Sequence, residues 1–348
     1  MKCICCGGEM RYDPASFGLM CDSCGFTKQL HRPEEQAIVD EVDFESAVRD
    51  SGNEWQLIRR AVSCSQCGAV TLYDPNQISM SCPYCGSNSV LPVEDNNYGL
   101  TPMGIIPFSF SKEDVQKFFY KWNKWALWSP EDFRTGKVLG NLVGVYIPFW
   151  TFDADTVSTY FGDFGYTEET GDSSRTKWRQ KSGILNKSFN DIKTCGSRRF
   201  YGDKLLNSVI QFGPEDIVPY TPDALQGFAA EKYTIGIDEA WGLAKANQRR
   251  TLESAACNNE RADTYRNLQL STEYSNVKFR YILVPVWLTA MRYKGKSYNV
   301  VCSGHKQRGN CKRPVSIPKM IILGLIVFSV PLLVMLFNLI FWIVTSRW

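Results

Sequence analysis

Eight of the nine cysteines between Met1 and Cys85 of this 348-residue chain stand in Cys-x-x-Cys pairs. The pairs are Cys3/Cys6 with Cys21/Cys24, and Cys64/Cys67 with Cys82/Cys85; the spacing from one pair to the next is the same in both sets. Thiolates presented two by two on tight knuckles are the donor set of a closed, tetrahedral, structural zinc site. Each pair runs into a glycine (Gly7, Gly25, Gly68, Gly86), which supplies the left-handed backbone a knuckle needs. Laying Cys3 on Cys64 superposes the two sets, and Tyr12-Asp13-Pro14 then falls on Tyr73-Asp74-Pro75. In that register Cys6 is the ligand and Cys5 a spare thiol. Two Zn2+ ions are expected, both structural because four thiolates leave no open coordination position.

Little else in the sequence could do catalysis. His31 and His305 are the only histidines, which nearly excludes histidine acid–base chemistry. There is no phosphate-binding Gly-x-x-x-x-Gly-Lys-Ser/Thr and no Gly-x-Ser-x-Gly elbow. Asp163-Phe164-Gly165 spells a kinase tripeptide without its partner motifs, so it is read as chance. Cys302, His305 and Cys311 could form most of a third metal site; Cys195 and Cys257 are read with them as buried, inert thiols. The chain is therefore expected not to be an enzyme.

Zinc ribbons often bind nucleic acid, but charge argues against it here. From Ala61 to Ser111 there is no Lys or Arg, so the second module has nothing to neutralise phosphate. A nucleic-acid reading would have to use the basic 175–204 segment: Arg175, Lys177, Arg179, Lys181, Lys187, Lys193, Arg198, Arg199 and Lys204. A solvated stretch, or one lying on anionic lipid, is the other reading of that segment.

The elements that must position these groups form an α+β chain. Residues 1–32 and 62–92 are the two ribbons, 33–61 a helical linker, 100–311 a β-rich α+β domain and 320–344 a transmembrane helix. Ser111 and Asp114 open a helix of capping-box type whose Val115, Phe118, Phe119, Trp122 and Trp125 are expected to share a face. Val143 to Tyr160 reads as a strand pair turning at Asp153-Ala154-Asp155. Val145-Tyr-Ile-Pro148-Phe-Trp150 is echoed by Ile282-Leu-Val-Pro285-Val-Trp287, and these two Pro-x-Trp units are expected in one sheet. The later unit turns at Lys294-Gly295-Lys296 into a hairpin. Between them Asp238 is expected to cap a helix running to about 269.

Met320 to Val344 carries no charge from end to end and is long enough to span the bilayer core. After Glu273 the chain has no acid, and Lys312, Arg313 and Lys319 precede the span while Arg347 alone follows it. Positive charge on the cytoplasmic side then makes the protein single-pass and tail-anchored in the cell membrane, with its N-terminal bulk in the cytoplasm.

The paired ribbons with Tyr-Asp-Pro, Ile105-Ile-Pro-Phe108 and the two Pro-x-Trp units resemble the TFIIB-type zinc-ribbon membrane proteins of Firmicutes. Ala230-Glu231-Lys232-Tyr233, Glu239-Ala240-Trp241 and Tyr293-Lys-Gly-Lys296 extend the resemblance over nearly the whole chain. Members are often encoded beside phage-shock-protein-A-like and SPFH-domain proteins. The resemblance implies a membrane-anchored scaffold that recruits such protein partners to a stressed membrane. Family members follow Tyr-Lys-Gly-Lys with an Asn-Gly-Gln-Thr-Gly-Lys type turn, where this chain has Ser303 to Cys311.

Overall fold

The computed structural model describes residues 1–30, 39–47, 60–73, 82, 84, 87, 90–92, 100–124, 126, 129–131, 142–170, 173–293 and 296–345. Strands β1 (Met10–Asp13), β2 (Gly18–Cys21) and β3 (Thr27–Gln29) form a small sheet of their own. Next come β4 (Val42–Asp43), helix α1 (Phe44–Ala47), β5 (Arg60–Cys64), β6 (Val70–Tyr73), β7 (Val90–Pro92) and β8 (Gly104–Ile105). Helix α2 (Lys112–Lys124) leads to two long strands, β9 (Val143–Thr170) and β10 (Ser173–Cys195). After α3 (Lys204–Val209), β11 (Val218–Pro219) and β12 (Ala229–Glu231), helix α4 (Ile237–Asn259) feeds β13 (Thr264–Tyr293). β14 (Lys296–Ser303), β15 (Gly309–Cys311) and helix α5 (Ile317–Thr345) complete the described chain. The fold is mixed α+β, and β4 to β15 belong to one sheet.

The two Pro-x-Trp units sit at the centre of that sheet, with β9 and β13 antiparallel and Tyr146 opposite Pro285. Proline inside a central strand removes a ladder donor, and the topology accommodates it. Along its free side β9 pairs first with β12, at Val145 and Tyr146, and then with β10 from Phe149 onward. Along its free side β13 pairs with β8 at Ile282 and Leu283, and with β14 from Val286. Pro148 and Pro285 each stand where the outer neighbour changes, so no amide is missed. Their carbonyls accept from Gly196 (2.8 Å) and Gly304 (3.0 Å).

The correspondence extends further. The Gly196 carbonyl accepts from Thr234 and Ile235, and the Gly304 carbonyl from Ser109 and Phe110. Trp150 Nε1 donates to Ile235 O (3.0 Å), just before α4; Trp287 Nε1 donates to Phe110 O (3.2 Å), just before α2. The body is thus a duplicated strand–helix–strand–strand unit, in which each short parallel strand, β8 or β12, is added to the other unit's long strand. The aromatic core collects where the units meet, around Phe108, Tyr146, Trp150, Phe228, Tyr281 and Trp287.

Several sequence expectations change. Asp153-Ala154-Asp155 is not a turn: β9 runs straight through it. The neighbouring strands carry three bulges, each with a left-handed Asp or Asn: Asp191 (φ 53°), Asn267 (φ 53°) and Asn276 (φ 52°). These residue types tolerate that region best after glycine. Each is stapled by an aspartate of β9: the Asp191 N–H donates to Asp153, Asn276 to Asp155 and Asn267 to Asp163. Asp163 of the chance kinase tripeptide therefore has a structural task. The long helix starts after Gly236, with Asp238 in its first turn, and stops at Asn259 instead of near 269; Arg261 (φ 51°) turns the chain into β13. The basic 173–195 stretch is strand β10. Of the 33–61 linker, 33–38 and 48–59 lie outside the described residues, and 42–43 form β4 on β13. The capping box holds, with Ser111 N–H and Oγ donating to Asp114 and the Asp114 N–H donating back to Ser111 Oγ.

Candidate metal centres

The first centre is built by two knuckles. The Gly7 N–H donates to Cys3 O and the Cys3 N–H to Gly8 O; the Gly25 N–H donates to Cys21 O and the Cys21 N–H to Phe26 O. Gly7 and Gly25 both have φ 71°, which permits these turns. The four sulfurs of Cys3, Cys6, Cys21 and Cys24 lie within 4.8 Å of one another, with Cys3···Cys24 3.6 Å and Cys6···Cys21 3.5 Å. A tetrahedron of sulfurs about 2.3 Å from a zinc ion has edges of about 3.8 Å, so the cluster already has metal-site dimensions. Cys5 is exposed and outside the group; burial and the neighbouring Cys3 push its thiol up.

Electrostatics points the same way. Burial raises the Cys3 thiol, but the backbone N–H groups of Cys5 and Cys6 and the thiols of Cys24 and Cys21 outweigh it, leaving it lowered to about 7. At Cys24 the Phe26 N–H lowers the thiol, yet the surrounding Cys6, burial, Cys3 and Cys21 push it up to about 12. Four sulfurs this close cannot all ionise unless a cation joins them, and a divalent metal removes that conflict.

The second centre repeats the first knuckle, with Gly68 (φ 69°) donating to Cys64 O and the Cys64 N–H to Ala69 O. Cys64, Cys67 and Cys82 form one group, with Cys67···Cys82 3.6 Å; Cys85 lies outside the described residues. Both clusters could bind a metal ion.

The two centres are mounted differently. Tyr12 of β1 is buried against Phe228 and Phe17, its N–H donates to Gln226 O (3.0 Å) and its hydroxyl to Phe108 O (3.3 Å). In the second module β6 pairs antiparallel with β12, Leu72 opposite Ala230, so its β5–β6 hairpin joins the main sheet. Tyr84 donates to the buried carboxyl of Glu231 (2.7 Å), which also accepts from Ser197 (2.5 Å). Arg199 stacks on Tyr84 (4.6 Å) and donates to Cys67 O (2.9 Å).

The third constellation does not assemble. Cys302 and Cys311 are buried on β14 and β15, and burial raises the Cys302 thiol to about 12. His305 points elsewhere: its Nε2 pairs with Asp216 Oδ1 (2.9 Å) and its Nδ1 with Ser109 Oγ (3.1 Å). This hydroxyl–imidazole–carboxylate relay joins side chains far apart in the chain, so no sequence motif marks it. The Ser109 and Phe110 amides that could meet an oxyanion both donate to Gly304 O. Asp216 is further held by Lys306 (2.8 Å) and the Gly213 N–H (3.0 Å), which makes the relay a tie between two loops. A second cluster invisible in the sequence surrounds Arg280, which pairs with Glu41 (2.8 Å) and Asp191 (2.9 Å) and donates to Val39 O.

The basic side chains of the 175–204 segment are dispersed. Lys177 pairs with Glu168 (3.3 Å) and Arg198 with Glu239 (2.7 Å), Arg199 is engaged at Tyr84, and Lys193 packs over the Phe212 ring (4.2 Å). Arg179 lies over the Tyr166 ring (5.2 Å), and Arg175, Arg179 and Lys181 stay exposed on β10, with Lys204 exposed at the start of α3.

At the far end of the chain α5 is long and apolar enough to cross a membrane; the apolar window within its Ile317–Asn338 stretch is nowhere buried against the body. Pro331 lies inside it.

No family model matches the chain, and no solved structure does. The chain is a distant relative of the uncharacterized protein YdjG of Bacillus subtilis strain 168, 25% identical over 323 residues that cover 90% of each chain.

Proposed function

We propose that the protein is a non-catalytic, membrane-anchored adaptor whose two cysteine centres hold structural Zn2+. The carrying observation is that both clusters are mounted on one folded body while an unburied apolar helix leaves the same body. In this reading α5 spans the cell membrane and the folded body that precedes it lies in the cytoplasm. The mounted ribbons present surfaces to protein partners, with phage-shock-protein-A-like and SPFH-domain proteins as the class implied by the resemblance and membrane stress as the setting. Support comes from the absence of Lys and Arg between Ala61 and Ser111 and from the closed sulfur set of the first module. Binding of nucleic acid through β10 is the alternative, favoured by exposed Arg175, Arg179 and Lys181. It requires tight binding whose affinity falls steeply with salt.

The test is affinity capture from solubilised membranes with the full chain and with Cys6→Ser/Cys24→Ser. The adaptor reading expects a defined set of proteins captured by the first and lost from the second, with secondary structure retained. An unchanged set would remove the ribbons from partner binding.

A further inference from the structure

The segment that leads into α5 is tied to the end of α2. The Arg313 guanidinium lies 3.9 Å from the centre of the Trp122 ring, and Lys319 Nζ donates to Ser129 O (2.9 Å). Lys319 is the last charged residue before the apolar run, so on the reading that α5 spans the bilayer it sits at the headgroup layer. Its bond to Ser129 brings the chain just after α2 to that same depth.

The final turn of α2 is suited to that position. Lys121 and Lys124 are exposed and unpaired by any acid among the described residues, and so are Lys312 and Arg313. The acids of α2, Glu113 and Asp114, lie in its first turn, at the opposite end; Glu131 is the one acid among the described residues of 115–131. Tyr120 is 52% exposed beside Trp122. A ring and hydroxyl at the surface next to cations is the composition of the membrane–water interface.

We propose that the last turn of α2 and residues 312–319 form a collar that docks on anionic lipid headgroups around the base of the span. Lys121, Lys124, Lys312 and Lys319 face the phosphates, and Tyr120 enters the interfacial layer. The occupant is the bilayer itself because the collar is continuous with the apolar helix, and the cations select its charge. Docking fixes the orientation of the body above the membrane, which a lone helix with a flexible neck would leave free.

The proposal rests on α5 crossing the bilayer, and one experiment separates the two. The full chain is reconstituted in nanodiscs of phosphatidylcholine, alone or with phosphatidylglycerol, and hydrogen exchange is followed across 115–131 and 312–316. Amides there should exchange about tenfold more slowly in the anionic discs, and Lys121→Gln/Lys124→Gln should erase most of that difference while entering discs equally well. Equal exchange in both lipids, with the chain embedded, overturns the collar. A chain that alkaline carbonate strips from membranes overturns the span, and the collar with it.

Discussion

The first cysteine module keeps a three-stranded sheet of its own and rests on the body through one aromatic face, whereas the second gives its hairpin to the central sheet. Their sequences repeat in register, Cys3 on Cys64, so the metal sites match while the mountings do not. Lys2 and Glu9 make a single β-bridge in the first module. The equivalent Ser63 and Val70 form one rung of the longer β5–β6 ladder. A repeated cysteine pattern therefore specifies a metal centre without specifying what that centre is attached to. Attachment is decided by residues outside the repeat, Gln226 and Phe228 for the first module, Ala230 and Glu231 for the second.

The largest expected effect follows from this contrast. Metal contributes on the order of ten kcal/mol to isolated structural zinc modules, and the first module has few other backbone ties to the body. Chelation should therefore bring the amides of 10–12 and 18–21 to unprotected exchange while those of 61–63 and 71–72, held by β12, stay slower. Native mass spectrometry of the same sample should register loss of two zinc ions. Equal loss of protection in both modules would erase the distinction.

A smaller effect tests the aromatic mounting. Tyr12→Ala should cost about 3–5 kcal/mol, because it empties a buried site against Phe228, and Tyr12→Phe only about 1 kcal/mol through the lost bond to Phe108 O. Denaturant unfolding monitored on the body would measure both. A cost below about 1 kcal/mol for the alanine variant would mean that the first module is not part of the folding unit.

The smallest effect concerns the chain between the modules, pinned by Arg280 to Glu41. Burial and the Asp153 carboxyl outweigh the Arg280 attraction and raise the Glu41 carboxyl from 4.5 to about 7. The folded state then holds this proton where the unfolded chain has lost it, so the contribution to stability is complete below pH 4.5 and declines as the pH rises through about 7. Melting temperatures of the natural chain and Glu41→Gln, compared across that window, should diverge with rising pH, the natural chain falling further. Parallel curves would mean that Glu41 is not protonated in the fold.

What the sequence disclosed were features closed within a short local window: the cysteine knuckles, the Ser111–Asp114 cap and the uncharged run in α5. What it hid was long-range. Asp153 and Asp155 looked like turn residues because the acids that staple a neighbour's bulge are the types that make turns. The continuous run of β9 depends on partners far along the chain, such as Asn276, which no local window contains. The Ser109–His305–Asp216 tie and the Arg280 cluster were hidden for the same reason. The spacing of Cys302, His305 and Cys311 offers a metal site, but the reading of the thiols as buried and inert is the one that fits. The strand pairing buries Cys302 and Cys311, while the imidazole meets Asp216, a partner no local window contains.

The prolines at the two points where strand neighbours change also bear on how the chain is made. β10 follows β9 directly and can pair with it from Phe149 onward. But β12, the neighbour of Val145 and Tyr146, is made later, so the start of that edge waits for its partner. An exposed edge invites pairing with whatever strand is near. Pro148 interrupts the outward row of donors in the waiting strand, and a wrong partner laid across it loses a hydrogen bond that β12 and β10 never ask for. Pro285 sets the same condition on β13 when it arrives. At each ring a slipped neighbour forfeits a hydrogen bond that the native arrangement of neighbours does not use.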